Sequence, residues 1–186
     1  MRIIAGELGG RRLKTLPGWQ TRPTADKVKG AIFNVLHNKI EGAVVLDLFG
    51  GSGNLAIEAL SRGAARAVLV EKNRQAARVV QENLQLTSLE ERAILINADA
   101  FQYLRQDRQT YDLIFLDPPY RHGLVTQALK VLADPFRLTG AGVIVAETAG
   151  EEELTGLPAL FEVRKTATYG DTKVWYIQRT LNTTGI

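Results

Sequence analysis

Along most of the chain the apolar residues come in two alternating patterns. Short unbroken runs give way to longer stretches in which they recur every three or four positions. From Ala43, "AVVLDLF" reads as a strand buried on both faces, and "NLAIEALSRG" as a helix that Gly63 stops. "RAVLVE" follows as a strand, then "NRQAARVVQENLQL" as a helix capped by Asn73. The series continues with strand "AILIN", short helix "DAFQYLRQ", strand "YDLIFLD", helix "GLVTQALKVLA" and strand "AGVIVAE". Near-continuous apolar strands separated by amphipathic helices predict a parallel sheet covered on both faces. The period then changes: "FEVRKTATYG" and "TKVWYIQR" alternate as a β-hairpin does, around Gly170-Asp171. The expected fold is α/β, a Rossmann-like doubly wound, mostly parallel sheet of about seven strands ending in a β-hairpin.

The first forty residues follow another pattern. "RIIAG" and "RRLKTL" flank Gly6, Gly9 and Gly10 and predict a small β-hairpin. Pro23 opens the next segment, Thr24 is the candidate N-cap, and Val28, Ile32, Val35 and Leu36 lie at helical spacing. A helix is therefore expected from about Ala25 to Lys39. The chain divides on this reading into an extension, residues 1–40, and an α/β domain, residues 41–186.

Charge sharpens that division. Residues 1–29 hold seven basic side chains (Arg2, Arg11, Arg12, Lys14, Arg22, Lys27 and Lys29) against Glu7 and Asp26. The rest of the chain is slightly acidic, so the net charge of +3 belongs to one end. Clustered Lys and Arg suit a surface that meets nucleic-acid phosphates. With 45% hydrophobic residues in 186, the length fits one soluble domain with a sizeable core. The absence of cysteine excludes disulfides and thiolate metal sites and fits a reducing compartment. With no apolar run of signal-peptide or membrane-spanning length, the cytoplasm is the expected location.

In doubly wound sheets ligands sit beyond the carboxyl ends of the strands, where the strand order reverses. Four strand ends here carry chemistry. The first runs "LDLFGGSGNLA", with Gly51 and Gly53 in a loop that lets a ligand approach the backbone and feeds a helix N-terminus. Glu71 ends the second strand, 20 residues beyond Gly51, where ribose hydroxyls are gripped in dinucleotide folds. Together they point to an adenosine-containing cofactor. Asp47, just before the glycines, would repel a pyrophosphate and welcome a cationic amino group, which argues against a nicotinamide nucleotide. Asp99 ends the third strand as an N-cap, an acceptor for an adenine amine, or both.

The fourth strand ends in "LDPPY". Its consecutive prolines remove two backbone donors and fix two φ angles, so neither helix nor central strand continues through them. Asp117, Pro118, Pro119 and Tyr120 thus form a stiff corner. An exocyclic nucleobase amine is a poor nucleophile because its lone pair is delocalised into the ring. The Asp117 carboxylate and Pro118 carbonyl can accept its hydrogens and free that lone pair, while Tyr120 offers a face to a flipped base.

In that order, "DLFGGSG", "VEKN", "NADA" and "LDPPY" resemble the Class I S-adenosylmethionine-dependent methyltransferases that act on amino groups. "RIIAGELGGRRL", "TRPTADKVKGAIFNVL", "EALSRGA" and "YGDTKVWY" narrow the resemblance to the RsmD family, bacterial 16S ribosomal RNA guanine-N2 methyltransferases that modify the guanine conventionally numbered 966. The likeness runs from Arg2 to about Arg179. It implies S-adenosylmethionine as cofactor, with Asp47, Gly51 and Gly53 around its methionine part. Glu71 would take its ribose, and Asp99 and the Ala100 backbone its adenine. Asp117, Pro118, Pro119 and Tyr120 would hold the target guanine. Arg22 and Thr24 would lie at the mouth of the site, and Arg11, Arg12 and Lys14 on 16S rRNA, within the small ribosomal subunit or an assembly intermediate. No metal is expected.

Other acceptors remain conceivable for the same corner. A DNA adenine-N6 enzyme usually needs an added recognition region, which this chain lacks, and a protein glutamine amide enzyme would be expected to carry Asn at position 117. A non-catalytic ribosome assembly module would have no need for intact Asp47, Glu71, Asp99 and Asp117. Asn54 receives no role. His37 and His122 are expected at a helix cap or on the surface, Glu147 at the end of the fifth strand as a cap of the turn, and Trp19, Trp175 and Tyr169 in packing.

Overall fold

A computed structural model describes residues 1–16 and 23–180, so Trp19 and Arg22 lie outside the described residues. Helix α1 (Pro23–Val35) precedes the alternating series β1 (Val44–Asp47), α2 (Asn54–Ser61), β2 (Arg66–Val70), α3 (Arg74–Thr87) and β3 (Ala93–Ile96). The chain continues with α4 (Ala100–Gln106), β4 (Tyr111–Leu116), α5 (Leu124–Leu132), β5 (Leu138–Ala149), β6 (Phe161–Tyr169) and β7 (Thr172–Arg179). The seven strands lie in the order β3-β2-β1-β4-β5-β7-β6. The first five pair in parallel, because each return runs through a helix. β7 is antiparallel to both β5 and β6, and the two-residue turn at Gly170-Asp171 leaves no room for a crossover.

Alternate side chains of the central strands β1, β4 and β5 enter different cores. Val45, Leu113, Phe115 and Val145 pack with Ile32, Phe33, Ile57, Leu60 and Val80 of α1, α2 and α3. Leu46, Ile114, Leu116 and Ile144 pack with Leu104 of α4 and Val125, Leu129 and Leu132 of α5. That double burial is why the strands read as unbroken apolar runs. Trp175 joins the second core, and its Nε1 donates to Thr148 Oγ1 at 2.9 Å. Tyr169 packs against the first. Among the described residues no helix is long and apolar enough to cross a membrane.

The N-terminal segment forms a shorter hairpin than its sequence suggests. Arg2 pairs antiparallel with Arg12, and Ile3 N–H donates to the Arg11 carbonyl at 2.9 Å, Leu13 N–H to the Met1 carbonyl at 3.1 Å and Gly10 N–H to the Ile3 carbonyl at 2.8 Å. Beyond these bonds the segment is tied to α2: Ile4 and Ala5 N–H donate to the Glu58 carboxylate at 2.7 and 3.0 Å, and Leu8 N–H to Ser61 Oγ at 3.0 Å. Gly6, at φ +86°, runs so close to α2 that a Cβ there would sit 1.9 Å from the Ser61 carbonyl oxygen. The following helix also differs from expectation. Pro23 takes its first position, which suits a residue with no N–H, so Thr24 lies inside the first turn rather than capping it. The helix closes at Val35, and His37–Lys39 form a separate 3₁₀ turn. His37 is exposed, with Nδ1 3.1 Å from the Asn34 carbonyl.

Candidate active site

Strand order reverses between β1 and β4, and the carboxyl ends of those two strands open into a cleft of about 1100 Å³. Its walls bring together Asp47, Gly51, Glu71, Asp99, Ala100, Asp117, Pro118, Pro119 and Tyr120, residues far apart along the chain. Gly53 is not on that lining: it turns the chain into α2 at φ +81°, and a Cβ there would press on Ile57, Leu69 and Val80 at 3.1–3.4 Å. Its place in the motif is explained by packing.

The loop after β1 is tied to the ends of its neighbours. Gly50 N–H donates to the Val70 carbonyl at 2.8 Å, and Gly51 N–H to Glu71 Oε2 at 2.8 Å. Asn73 N–H donates to the other Glu71 oxygen at 2.6 Å, so two backbone amides fix the carboxylate at the rim of the cleft. Asp99 caps α4, accepting from Phe101 and Gln102 N–H at 3.0 and 3.2 Å, and receives Lys72 Nζ at 3.1 Å on its second oxygen. Burial opposes its ionisation, but Lys72 and the two amides outweigh burial and hold its pKa below the ordinary value. Beside it, Phe49 and Phe101 meet edge to face with centroids 6.5 Å apart, an apolar wall suited to a flat ring.

Three carboxylates crowd together, Asp47 at the end of β1, Asp117 just after β4 and Glu147 within β5. Asp47 is 1% exposed; its Oδ2 takes one long contact, 3.4 Å from Ala56 N–H, and its Oδ1 is buried without a partner. Burial, and next the charge of Asp117, push its pKa up to about 7. Asp117 is open to the cleft yet enclosed by protein on its other sides, and that enclosure raises it too. Glu147 is raised well above its usual range by burial, then by Asp117 and Asp47. Tyr120 stands over this group with its hydroxyl 3.2 Å from Thr172 Oγ1, and burial, Asp117 and Glu147 all keep that hydroxyl protonated. Among the described residues no cluster of three or more His, Asp or Glu has the arrangement to hold a metal ion. A site this rich in destabilised negative charge is built to receive a cation or hydrogen-bond donors.

The extension reaches this site at a second place. Met1 and Lys29 line the cleft, and Lys29 Nζ donates to the Arg2 carbonyl at 2.5 Å and to Asn54 Oδ1 at 2.6 Å. Of the basic side chains proposed for nucleic acid, Arg12 is exposed, Lys14 pairs with Glu82 at 2.8 Å, and Arg11 lies 3.4 Å from the Leu86 carbonyl. Arg22 lies outside the described residues, as does the side chain of Thr24. Sequence reasoning misses Glu147, which it assigns only to a turn, and the hairpin tip Gly170–Thr172, which forms one wall. Glu147 lies inside β5, at the point where that strand has passed the end of β4 and still pairs with β7.

Comparison with known proteins follows this geometry. A family model described as Conserved hypothetical protein 95 matches residues 1–178. The Bacillus subtilis protein YlbH is 40% identical over 94% of this chain and 96% of its own length. Ribosomal RNA small subunit methyltransferase D of Escherichia coli K12 is 35% identical over 96% of this chain and 90% of its own. The solved structure of yhhF from Escherichia coli matches with a TM-score of 0.85 at 35% identity, covering 96% of this chain and 97% of that one.

Proposed function

The chain belongs to this family, the RsmD family of methyltransferases, and from that membership we propose that it moves a methyl group from S-adenosylmethionine to the exocyclic N2 amine of a guanine in 16S rRNA. The observation that carries the reading is the meeting of Asp47, Asp117 and the Pro118-Pro119 corner in one cleft beside the glycine loop. The residues fit the cofactor. The orphaned Asp47 Oδ1 is matched to its ammonium group, Glu71 to two ribose hydroxyls, and the Phe49–Phe101 wall with Asp99 to its adenine. When bound, the cofactor supplies an electrophilic methyl on a sulfonium and leaves as a neutral thioether.

The chain's own work is to prepare the acceptor. Asp117 and the Pro118 carbonyl take the two amine hydrogens, which turns the nitrogen lone pair out of conjugation and toward the methyl. As the nitrogen becomes cationic, Asp117 offsets the charge and is placed to take its proton. The ring of Tyr120 stacks on the base. The basic extension, residues 1–40, docks on RNA phosphates beside the α/β domain, residues 41–186, and through Met1 and Lys29 it adjoins the cofactor cleft. Incubating the protein with labelled S-adenosylmethionine and purified small subunits, naked rRNA, DNA or protein tests the reading. N2-methylguanine in digested rRNA is the expected product; label in DNA or protein alone would overturn it.

A further inference from the structure

We infer that Glu147 is the residue that selects guanine, its carboxylate accepting the N1–H next to the amine that Asp117 and Pro118 hold. The inference rests on the function proposed above and names which residue reads the base. Guanine presents N1–H and N2–H side by side on one edge, both donors. Adenine presents a lone pair at N1, so an acceptor at that point separates the two bases.

Position argues for Glu147 first. It lies within β5, the strand next to β4, one residue past the last β4–β5 pair (Leu116 with Ala146), and so sits beside the corner that β4 ends in. It is the only acid among the described residues that borders both the main cleft and an adjoining recess of about 140 Å³, where Pro118, Pro119, Tyr120 and Leu124 also line both spaces. A base stacked on Tyr120 would lie with its edge between Asp117 and Glu147.

Glu147 also has little structural reason to be there otherwise. Asp117 and Asp47 face it as like charges, and the Tyr120 hydroxyl is the one group of the described protein that offsets them. Every salt bridge of the neighbouring loop goes to another acid: Arg121 to Glu151 and Lys173 to Glu153. An enclosed carboxylate without a cation is costly to the fold. A pair of guanine donors would satisfy it, and a base lacking the N1–H would leave it unpaired, which is how buried polar groups reject wrong substrates.

The test compares RNA substrates carrying guanine or 2-aminopurine at the target position, with wild type, Glu147→Gln and Glu147→Ala. 2-Aminopurine keeps the amine but has a lone pair at N1. Wild type is expected to prefer guanine in kcat/KM by about 10- to 100-fold, the range of one good base-edge contact. Glu147→Gln can donate its amide N–H to that lone pair, so its preference should collapse or reverse as guanine transfer falls and 2-aminopurine transfer holds or rises. Glu147→Ala should lose the preference without gaining on 2-aminopurine. An unchanged guanine preference in Glu147→Gln, or an equal loss on both bases, overturns the assignment while leaving the methyl transfer itself in place. A wild-type protein that forms no N2-methylguanine overturns the parent reading, and this one with it.

Discussion

Glu58 and Asp47 are both shut away from water, at 0% and 1% exposure, and their surroundings could hardly differ more. Glu58 accepts from Ile4 and Ala5 N–H at 2.7 and 3.0 Å, from Arg62 Nε at 2.7 Å and from Lys29 Nζ at 3.0 Å. Asp47 takes only weak backbone contacts, from Ala56 N–H at 3.4 Å and from the Phe49 backbone, and one of its oxygens is buried without a partner. The first carboxylate is saturated, and it holds the extension onto α2. The second is left wanting, at the carboxyl end of a sheet. A buried charge with all its partners marks architecture; a buried charge without them marks the place where a ligand completes the structure.

If the contrast is real, breaking the saturated site should harm the fold most. Glu58→Ala leaves Lys29, 2% exposed, without its countercharge and strips two amides of their acceptor. Removing one partner of a buried pair costs about 3–5 kcal/mol. The denaturant midpoint should drop accordingly, and protease should cut the extension first. A loss below about 1 kcal/mol, the range of a surface pair, would mean that the network does not anchor the arm.

At the other end of the sheet the harm should fall on chemistry instead. Asp117→Ala removes a side chain that opens to the cleft rather than filling a core, so the unfolding midpoint should stay put. Loss of one electrostatic contact to a transition state costs about 10²- to 10³-fold in kcat. Asp117→Asn separates the two roles of this residue: retained partial activity means that hydrogen bonding dominates, and loss equal to Ala means that the charge is needed. An unfolding shift as large as that of Glu58→Ala would dissolve the distinction between the two regions.

Much of this is legible in the chain, and unevenly. The parallel sheet can be read because burial on two faces writes itself as unbroken apolar runs, and Asn73 and Asp99 can be read as caps because capping is local. Asp47, Glu71, Asp99 and Asp117 follow because strand ends of a doubly wound sheet converge. Glu147, which we propose reads the base, escapes: its place in the cleft depends on β5 lying next to β4, a neighbour relation that no local pattern carries. The N-terminal hairpin is legible as a pairing but not in what anchors it. Its Ile4 and Ala5 amides bond a carboxylate more than 50 residues away, a tertiary contact that a glycine-rich turn does not reveal. Asn54 has no role legible in its own surroundings because its partner, Lys29, is 25 residues upstream on α1.

Asp47 sharpens the contrast through pH. Its pKa rises on folding from 3.8 to about 7, so the folded empty protein binds more protons than the unfolded chain between those values. Stability of the ligand-free protein should therefore fall as pH climbs from about 4 to about 7. Asp47→Asn should flatten that slope and make the empty protein more stable at pH 8, by on the order of 1–3 kcal/mol. S-adenosylhomocysteine, whose ammonium group we propose pairs with ionised Asp47, should bind wild type more weakly below pH 7 and release a proton on binding. Calorimetry in buffers of different ionisation heat reads both. Binding that strengthens as pH falls would place the cation elsewhere.

The smallest effect on the fold should come from the extension's exposed cations. Backbone groups hold this segment: Lys14 N–H donates to Asn83 Oδ1 at 2.8 Å, and its carbonyl accepts from Asn83 Nδ2 at 3.0 Å. Asn83 also donates to the Ser52 carbonyl at 2.9 Å, so the same side chain secures both the arm and the glycine loop. The Lys14 side chain contributes only an exposed pair with Glu82, worth about 0–1 kcal/mol. Replacing Arg11, Arg12 and Lys14 by Ala should therefore leave the unfolding midpoint and S-adenosylhomocysteine affinity in place. RNA binding should weaken, and the slope of log K against log salt should flatten by about 0.7–0.9 for each phosphate that is no longer neutralised. Asn83→Ala should do the reverse, loosening arm and cofactor loop together while the cations remain. If the triple variant weakened cofactor affinity as well, the arm's side chains rather than its backbone would be positioning the cleft, and the division of labour drawn from Glu58 and Asp47 would not extend to the surface.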